Sequence, residues 1–168
     1  MKKVLILDTS IMCVWLQVPG KDTCGSGDHV ITYETVKSKI EAEKKDGTTF
    51  VLPVASIIET GNHIAHSSGD RHTLGVSFAD MICETADNSS PWAAFTEQSA
   101  LWQPEMLKAL AERWKNTVVS GQSIGDALIV DVADYYAKMG FIVEIYTGDE
   151  GLKAYEPQSI NLIPRRKK

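Results

Sequence analysis

The sequence contains little cysteine and no long apolar run. Its three cysteines, Cys13, Cys24 and Cys83, form no CxxC pair, which disfavours a disulfide framework and a cysteine-rich zinc site and favours a reducing compartment. No run reaches the length of about 18 apolar residues that a transmembrane helix needs. Asp8 interrupts the apolar amino-terminal run, and no small-residue cleavage site follows it. We therefore expect a soluble cytoplasmic protein with no membrane partner.

Length and composition predict one globular domain over residues 1–168. Of the 168 residues, 43% are apolar and 23% charged, which excludes a disordered or fibrous chain. The net charge is −5, and because the last four residues carry +4, the rest of the chain carries −9. The basic tail, residues 164–168, either attracts phosphate backbones or is a solubilising end.

Short apolar runs alternate with helical patterns along the chain. The strand-like runs cover residues 3–7, 49–53, 116–119 and 141–146, and residues 160–163 add a candidate edge strand. Helical patterns follow at residues 55–66, 123–139 and 149–155, and a charged helix is expected at 33–45. This order predicts an α/β fold: a three-layer α/β/α sandwich with a mainly parallel sheet of four to five strands.

Residues 67–115 form an insertion that is longer than a simple crossover. We expect it to contain two helices, near 73–86 and 104–114, separated by loops rich in Ser, Asn, Asp and Gly. Trp92, Trp102 and Trp114 fall in this insertion. Packing is the commoner use of tryptophan, and stacking on nucleobases is the alternative.

Four acidic residues occupy equivalent places after the predicted strands. Asp8 ends the first strand, Glu59 and Asp126 lie in the first turns of the next two crossover helices, and Asp149 follows the last strand. The carboxyl ends of parallel strands meet at one edge of a sheet, where open α/β sheets bind ligands. We expect these four side chains to converge there.

Helix capping is the alternative explanation for each acid. Ser56 with Glu59 and Ser123 with Asp126 match capping boxes, while Asp8 and Asp149 are suited to be N-caps. Four carboxylates at one edge would repel one another, by about 4 kcal/mol for a pair about 4 Å apart at an effective dielectric near 20. Either the four are spread apart or a cation holds them, and an all-oxygen ligand set suits Mg²⁺ or Mn²⁺.

These segments resemble the PIN-domain family of metal-dependent ribonucleases. The resemblance rests on the stretches VLILDTSI, PVASIIETGNHI, SIGDALIVDVADYYAKMG and IYTGDEGL. It implies a PIN-like fold in which Asp8, Glu59, Asp126 and Asp149 are the catalytic and metal-binding residues. Thr147 belongs to the terminal T-x-D pattern, and Thr9 and Ser10 are candidates for the hydroxyl that usually follows the first acid.

Other polar residues have weaker claims to the site. His63 shares a helix face with Glu59 and is a candidate ligand or an orienting histidine. Asp131 and Asp134 lie about 140° and about 80° around the helix from Asp126, so we expect them to be solvated or outside the metal shell. The loop at residues 24–28 lacks the lysine and the spacing of a phosphate-binding loop, and a flexible connection is predicted.

The predicted function is that of a Mg²⁺- or Mn²⁺-dependent endoribonuclease that hydrolyses RNA phosphodiester bonds, with a toxin-type nuclease as the first context to consider. Two alternatives stay open: a structure-specific DNA nuclease, and a non-catalytic binding or assembly module of the same fold. The expected partners are the RNA substrate, an antitoxin or other regulatory protein, and a second copy of the chain in a homodimer.

Overall fold

A computed structural model describes residues 2–93 and 95–158, which form five β-strands and seven α-helices. The strands are β1 (Lys3–Leu7), β2 (Thr23–Cys24), β3 (Ile31–Thr32), β4 (Thr49–Val51) and β5 (Ile142–Tyr146). The helices are α1 (Thr9–Trp15), α2 (Tyr33–Lys45), α3 (Val54–Ala65), α4 (Arg71–Ala86), α5 (Pro104–Thr117), α6 (Ile124–Lys138) and α7 (Glu150–Lys153). The expected edge strand at 160–163 and the basic tail at 164–168 lie outside the described residues.

The main sheet has the strand order β4-β1-β5, and both pairs are parallel. β1 is the central strand, and its residues Val4 to Leu7 are completely buried. Leu5 and Leu7 pack in one hydrophobic cluster with residues of α1 and α2, and Val4 and Ile6 pack in a second cluster with residues of α6. A strand that is apolar on both faces is therefore covered on both faces, and the predicted α/β class with a parallel sheet is confirmed.

The strand predicted at residues 116–119 is wrong. α5 continues to Thr117, and a 3-10 helix follows over Val118–Ser120. Val119 is 86% exposed, so this run has no place in a buried sheet. Leu110, Trp114 and Val118 are spaced by four residues, which is a helical period, and a short apolar run cannot by itself distinguish the two structures. Among the described residues the main sheet thus has three strands.

The insertion is helical as predicted, and its loop at Trp92 covers the outer edge of β4. Phe50 of β4 donates its N–H to the Pro91 carbonyl at 2.7 Å, and its own carbonyl accepts from the Ala93 N–H at 2.9 Å. The Trp92 ring stacks on Trp15 with 6.2 Å between centroids. Packing, rather than base stacking, is the role of Trp92.

Side chains that follow β5 cover its outer edge at Ile145. The Ile145 N–H donates to Glu156 Oε2 at 2.7 Å, and the Ile145 carbonyl accepts from Lys153 Nζ at 2.9 Å. Lys153 and Glu156 also pair with each other at 2.5 Å. The two polar groups that a neighbouring strand would use at this residue are therefore already bonded.

None of the helices within residues 2–93 and 95–158 has the length and apolar character that crossing a membrane requires.

An ion cluster joins β1, α2 and β5 on the α2 side of the sheet. Lys3 Nζ lies 2.5 Å from Glu43 Oε1 and 2.7 Å from Glu144 Oε2, and Lys39 Nζ lies 2.9 Å from Glu144 Oε1. Burial acts to raise the pKa of the Glu43 carboxyl, but hydrogen bonds from Lys3 and Thr48 outweigh it, so the pKa is lowered from its ordinary 4.5. Glu43 therefore stabilises the fold in its charged form.

We predict that Glu43→Gln lowers the free energy of unfolding by about 1–3 kcal/mol at neutral pH, because it removes charge-assisted hydrogen bonds. A lowered folded-state pKa gives stability that is complete above the unfolded value and is lost as the pH falls through the folded value. The difference from the wild type should therefore shrink below pH 4.5. Urea unfolding at several pH values measures it, with the exposed Glu41→Gln on the same helix as control. An equal effect of both variants would contradict the prediction.

Candidate metal centre

Asp8 is held at the carboxyl edge of the sheet by two hydroxyl groups. It follows β1, caps α1, and is only 6% exposed. Its Oδ2 accepts from Ser10 Oγ at 2.7 Å and from Thr147 Oγ1 at 2.7 Å. The same two hydroxyls accept from the N–H groups of Gly148 and Asp149, both at 3.0 Å. These bonds hold the turn after β1 against the turn after β5. Both hydroxyls donate to Oδ2, so Asp8 Oδ1 is not used by either of them.

Glu59 reaches the same edge from α3. Its Oε2 accepts from Thr9 Oγ1 at 3.1 Å. Its Oε1 lies against Gly125 in the first turn of α6, where a Cβ would come within 2.4 Å of that oxygen. Glycine is thus the residue that lets this carboxylate approach the α6 backbone, and the positive end of the α6 dipole favours a negative charge there.

Asp126 and Asp149 both cap helices, as the sequence patterns predict. Asp126 forms a capping box with Ser123: its N–H donates to Ser123 Oγ at 2.9 Å, and its Oδ2 accepts from the Ser123 N–H at 3.2 Å. Asp149 Oδ1 accepts from the N–H groups of Gly151 at 2.7 Å and Leu152 at 3.2 Å. Each cap uses one carboxylate oxygen, so the second oxygen of each side chain lies outside the cap.

A hydrogen-bonded threonine, a shared cleft and the close approach of Glu59 to Gly125 connect the four acids in pairs. Asp8 and Asp149 are joined through one threonine hydroxyl, and Glu59 lies against Gly125, the residue before Asp126. Asp126 and Asp149 line the same cleft, of about 490 Å³. In the part of the chain that the structure describes, no three His, Cys, Asp or Glu side chains lie close enough together to hold a metal ion. The acids share one edge but do not form a closed set of ligands.

The weaker candidates divide between surface and structural roles. Asp131 pairs with Arg113 of α5 at 2.7 Å, and Asp134 is exposed. His63 is half-buried on α3, and the Nδ1 atom of His66 lies 2.8 Å from the Asn62 carbonyl. The ion pair of Asp131 agrees with its predicted position away from Asp126.

Sequence reasoning missed the β2–β3 hairpin as part of this edge. A Cβ on Gly148 would lie 2.6 Å from the Gly25 N atom and 2.7 Å from Cys24 Sγ, so the hairpin packs directly on the loop between Thr147 and Asp149. Burial raises the pKa of the Cys24 thiol, against a hydrogen bond with Ser10. The sequence feature that could have indicated this hairpin is the pair Gly25 and Gly27. Both residues adopt positive φ, which is typical of a tight turn rather than of a flexible connection.

Compared with family models, with curated proteins and with solved structures, the chain matches none of them. Functional assignment therefore rests on the chemistry of the four carboxylates and of the surfaces beside them.

Thr147→Val is predicted to lower the free energy of unfolding by about 1–3 kcal/mol, because buried Asp8 Oδ2 and the Asp149 N–H each lose a partner without a change of side-chain shape. Chemical denaturation gives the value. The same change at exposed Thr23 of β2 is the control and should alter stability by less than about 0.5 kcal/mol. If Thr147→Val leaves the free energy of unfolding unchanged, the bonds of the Thr147 hydroxyl to Asp8 and Asp149 do not stabilise this edge of the sheet.

Gly125→Ala should not give the gain of about 0.5–1 kcal/mol that alanine brings to a helix interior, because the new methyl group would displace the Glu59 carboxylate. Gly75→Ala on α4 is the matched control, since apart from the neighbouring backbone of α4 no atom lies within 4 Å of a Cβ at that position. Thermal unfolding of both variants makes the comparison. An equal rise in the unfolding midpoint of both variants would contradict the prediction, because it would show that the Glu59 carboxylate moves away from Gly125 without loss of stability.

Proposed function

We propose that this protein is a PIN-like, metal-dependent endoribonuclease whose metal ligands are Asp8, Glu59, Asp126 and Asp149. The observation that carries the proposal is that these acids, which are widely separated in sequence, lie at the carboxyl edge of one parallel sheet. Hydrogen bonds from the hydroxyls of Ser10 and Thr147 hold Asp8 in place. The lack of a side chain at Gly125 allows Glu59 to approach the backbone of α6. A capping role explains Asp126 and Asp149 and part of the environment of Asp8, which caps α1. It does not explain why Asp8 is bonded to the distant Thr147 or why Glu59 crosses to the start of α6.

The donor set at this edge fits Mg²⁺ or Mn²⁺. All four side chains offer carboxylate oxygens, which are the ligands that hard divalent ions prefer. When bound, such an ion neutralises a phosphodiester, lowers the pKa of a water and stabilises the leaving oxygen. Asp8 would present Oδ1 while Ser10 and Thr147 hold Oδ2, and Asp126 and Asp149 would each present the oxygen outside the cap.

The protein's own residues would orient the substrate at this edge. A carboxylate within hydrogen-bond reach of the attacking water can position it and accept its proton, and Asp126 and Asp149, which line the cleft, have the required access. Burial and hydrogen bonding hold Asp8 in one orientation, which reduces the cost of ordering it during the reaction.

The proposal includes the three-layer α/β/α arrangement that the family resemblance implies. It also includes attraction of phosphate by the basic tail, residues 164–168, which rests on the four cations at the end of the sequence. A cytoplasmic location and control by an antitoxin or other regulatory protein, in the manner of a toxin nuclease, belong to the same proposal. Each of them follows from the resemblance or the composition rather than from the geometry of the site.

A non-catalytic module is the second candidate, and one observation favours it. The caps on α6 and α7 give Asp126 and Asp149 a structural role that needs no metal. Titration with Mn²⁺ separates the two candidates, because an ion that binds only the folded state raises its stability. A saturable rise in the midpoint of thermal unfolding that Glu59→Gln abolishes would exclude the module without a metal site.

Asp8→Asn should reduce Mn²⁺-dependent cleavage of single-stranded RNA by about 100-fold or more, because it removes a negative ligand while an amide oxygen can still accept from Ser10 and Thr147. Cleavage of a labelled oligonucleotide with Mn²⁺ and with a chelator is the measurement, and thermal unfolding checks the fold. Asp134→Asn on the exposed face of α6 is the matched control.

Wild-type rates in the Asp8→Asn protein, or cleavage that survives the chelator, would contradict the proposed site. A matched DNA oligonucleotide tests the substrate: preferential cleavage of DNA would replace the ribonuclease with a DNA nuclease that uses the same acids.

A further inference from the structure

The cleft beside Asp126 and Asp149 has the dimensions of a small-ligand site. Its volume is about 490 Å³, which lies within the range of ligand pockets. One wall is the turn that precedes α6, and the other is α7 with the turn after it. Its lining consists of Ser120, Gly121, Gln122, Asp126, Asp149, Gly151, Leu152, Ala154 and Tyr155.

Away from its two acids, the lining of this cleft suits an uncharged ring better than a phosphate. The lining residues include two acids and no lysine or arginine. Lys153 of α7 is already bonded to Glu156 and to the Ile145 carbonyl. Between the uncharged lining residues a phosphate would find no cation, whereas a neutral heterocycle offers N–H groups to acceptors and a flat face for stacking. The two acids themselves are the proposed metal ligands.

Tyr155 provides an aromatic surface on the α7 wall, and the residue is 46% exposed. Its N–H donates to the Leu152 carbonyl at 3.0 Å. The residues on either side of this turn, Lys153 and Glu156, are both bonded to the backbone of Ile145. The ring is therefore carried by a segment that is tied to the sheet, and stacking on it costs little additional backbone ordering.

The opposite wall is also held in place. Gln122 lies in the turn before α6, and its carbonyl accepts from Trp114 Nε1 at 2.9 Å. The amide of a glutamine side chain can both donate and accept, which is what contact with the edge of a base requires.

We propose that this cleft binds an unpaired nucleobase of the RNA strand, stacked on Tyr155, while the adjoining phosphodiester lies at the four acids. This inference rests on the proposed ribonuclease function and adds a base-binding contact to it: the base held at Tyr155 must be unpaired, because a paired base cannot enter the cleft. Gln122 is the residue that would contact the edge of the base.

The experiment uses short single-stranded RNAs in which 2-aminopurine, whose fluorescence falls on stacking, occupies each position in turn. Binding is measured with Ca²⁺ in place of Mn²⁺, so that a divalent ion still neutralises the acids, and electrophoresis of the labelled strand verifies that it stays intact. With the wild type, one position should be quenched. Tyr155→Ala should abolish that quenching and weaken binding about tenfold, whereas Tyr155→Phe, which keeps the ring, should retain both. In Mn²⁺-dependent cleavage, Tyr155→Ala should raise KM more than it lowers kcat.

Trp102→Ala is the matched control, because Trp102 is 42% exposed but is not part of the cleft lining. It should change neither quenching nor KM. Unchanged quenching and binding in Tyr155→Ala would overturn the nucleobase site even if the wild type cleaves RNA. Tyr155-dependent quenching by a protein that cleaves no RNA would support the nucleobase site and overturn the nuclease proposal alone.

Discussion

The carboxylate of Asp8 holds together two turns that are far apart in the sequence. Its Oδ2 accepts from Ser10 on the α1 side and from Thr147 on the β5 side, and both hydroxyls continue into the backbone of residues 148 and 149. The β2–β3 hairpin packs on this loop, and α7 begins immediately after it. One buried carboxylate thus fixes the relative positions of the hairpin, Asp149 and the cleft that contains Tyr155.

Much of the sheet could be predicted because its strands are continuous apolar runs. The predicted bounds of β1 and β5 differ from those in the structure by at most one residue. The caps at Ser123 and Asp149 follow from local patterns that need no tertiary information. The strand prediction at 116–119 is wrong because a short apolar run suits a strand and a helix equally. Only the four-residue spacing of Val118 from Trp114 and of Trp114 from Leu110 indicates the helix. The contacts of Gly125 with Glu59 and of Gly148 with the hairpin could not be predicted, since each joins distant residues and has no periodic signal.

The acidic surplus of the chain has a partly structural explanation. Glu43, Glu144 and Glu156 are bonded to lysines, and Asp131 is bonded to Arg113. These pairs occupy Lys39 of α2 and Lys153 of α7, which would otherwise be available to attract phosphate. In our proposal, bound divalent ions and the basic tail attract the nucleic acid to this edge. Under that proposal, net charge is a poor guide to the substrate.

The side chains that bond to the N–H and carbonyl groups of Ile145 affect how the sheet could pair with another strand. A sheet edge with unbonded N–H and carbonyl groups invites an extended peptide to continue the sheet, which is a common route to strand exchange and fibre growth. Here Glu156 and Lys153 imitate such a peptide from within the same chain. An incoming strand at this residue would have to displace an ion pair first, so the edge of β5 resists the addition of a strand from another chain.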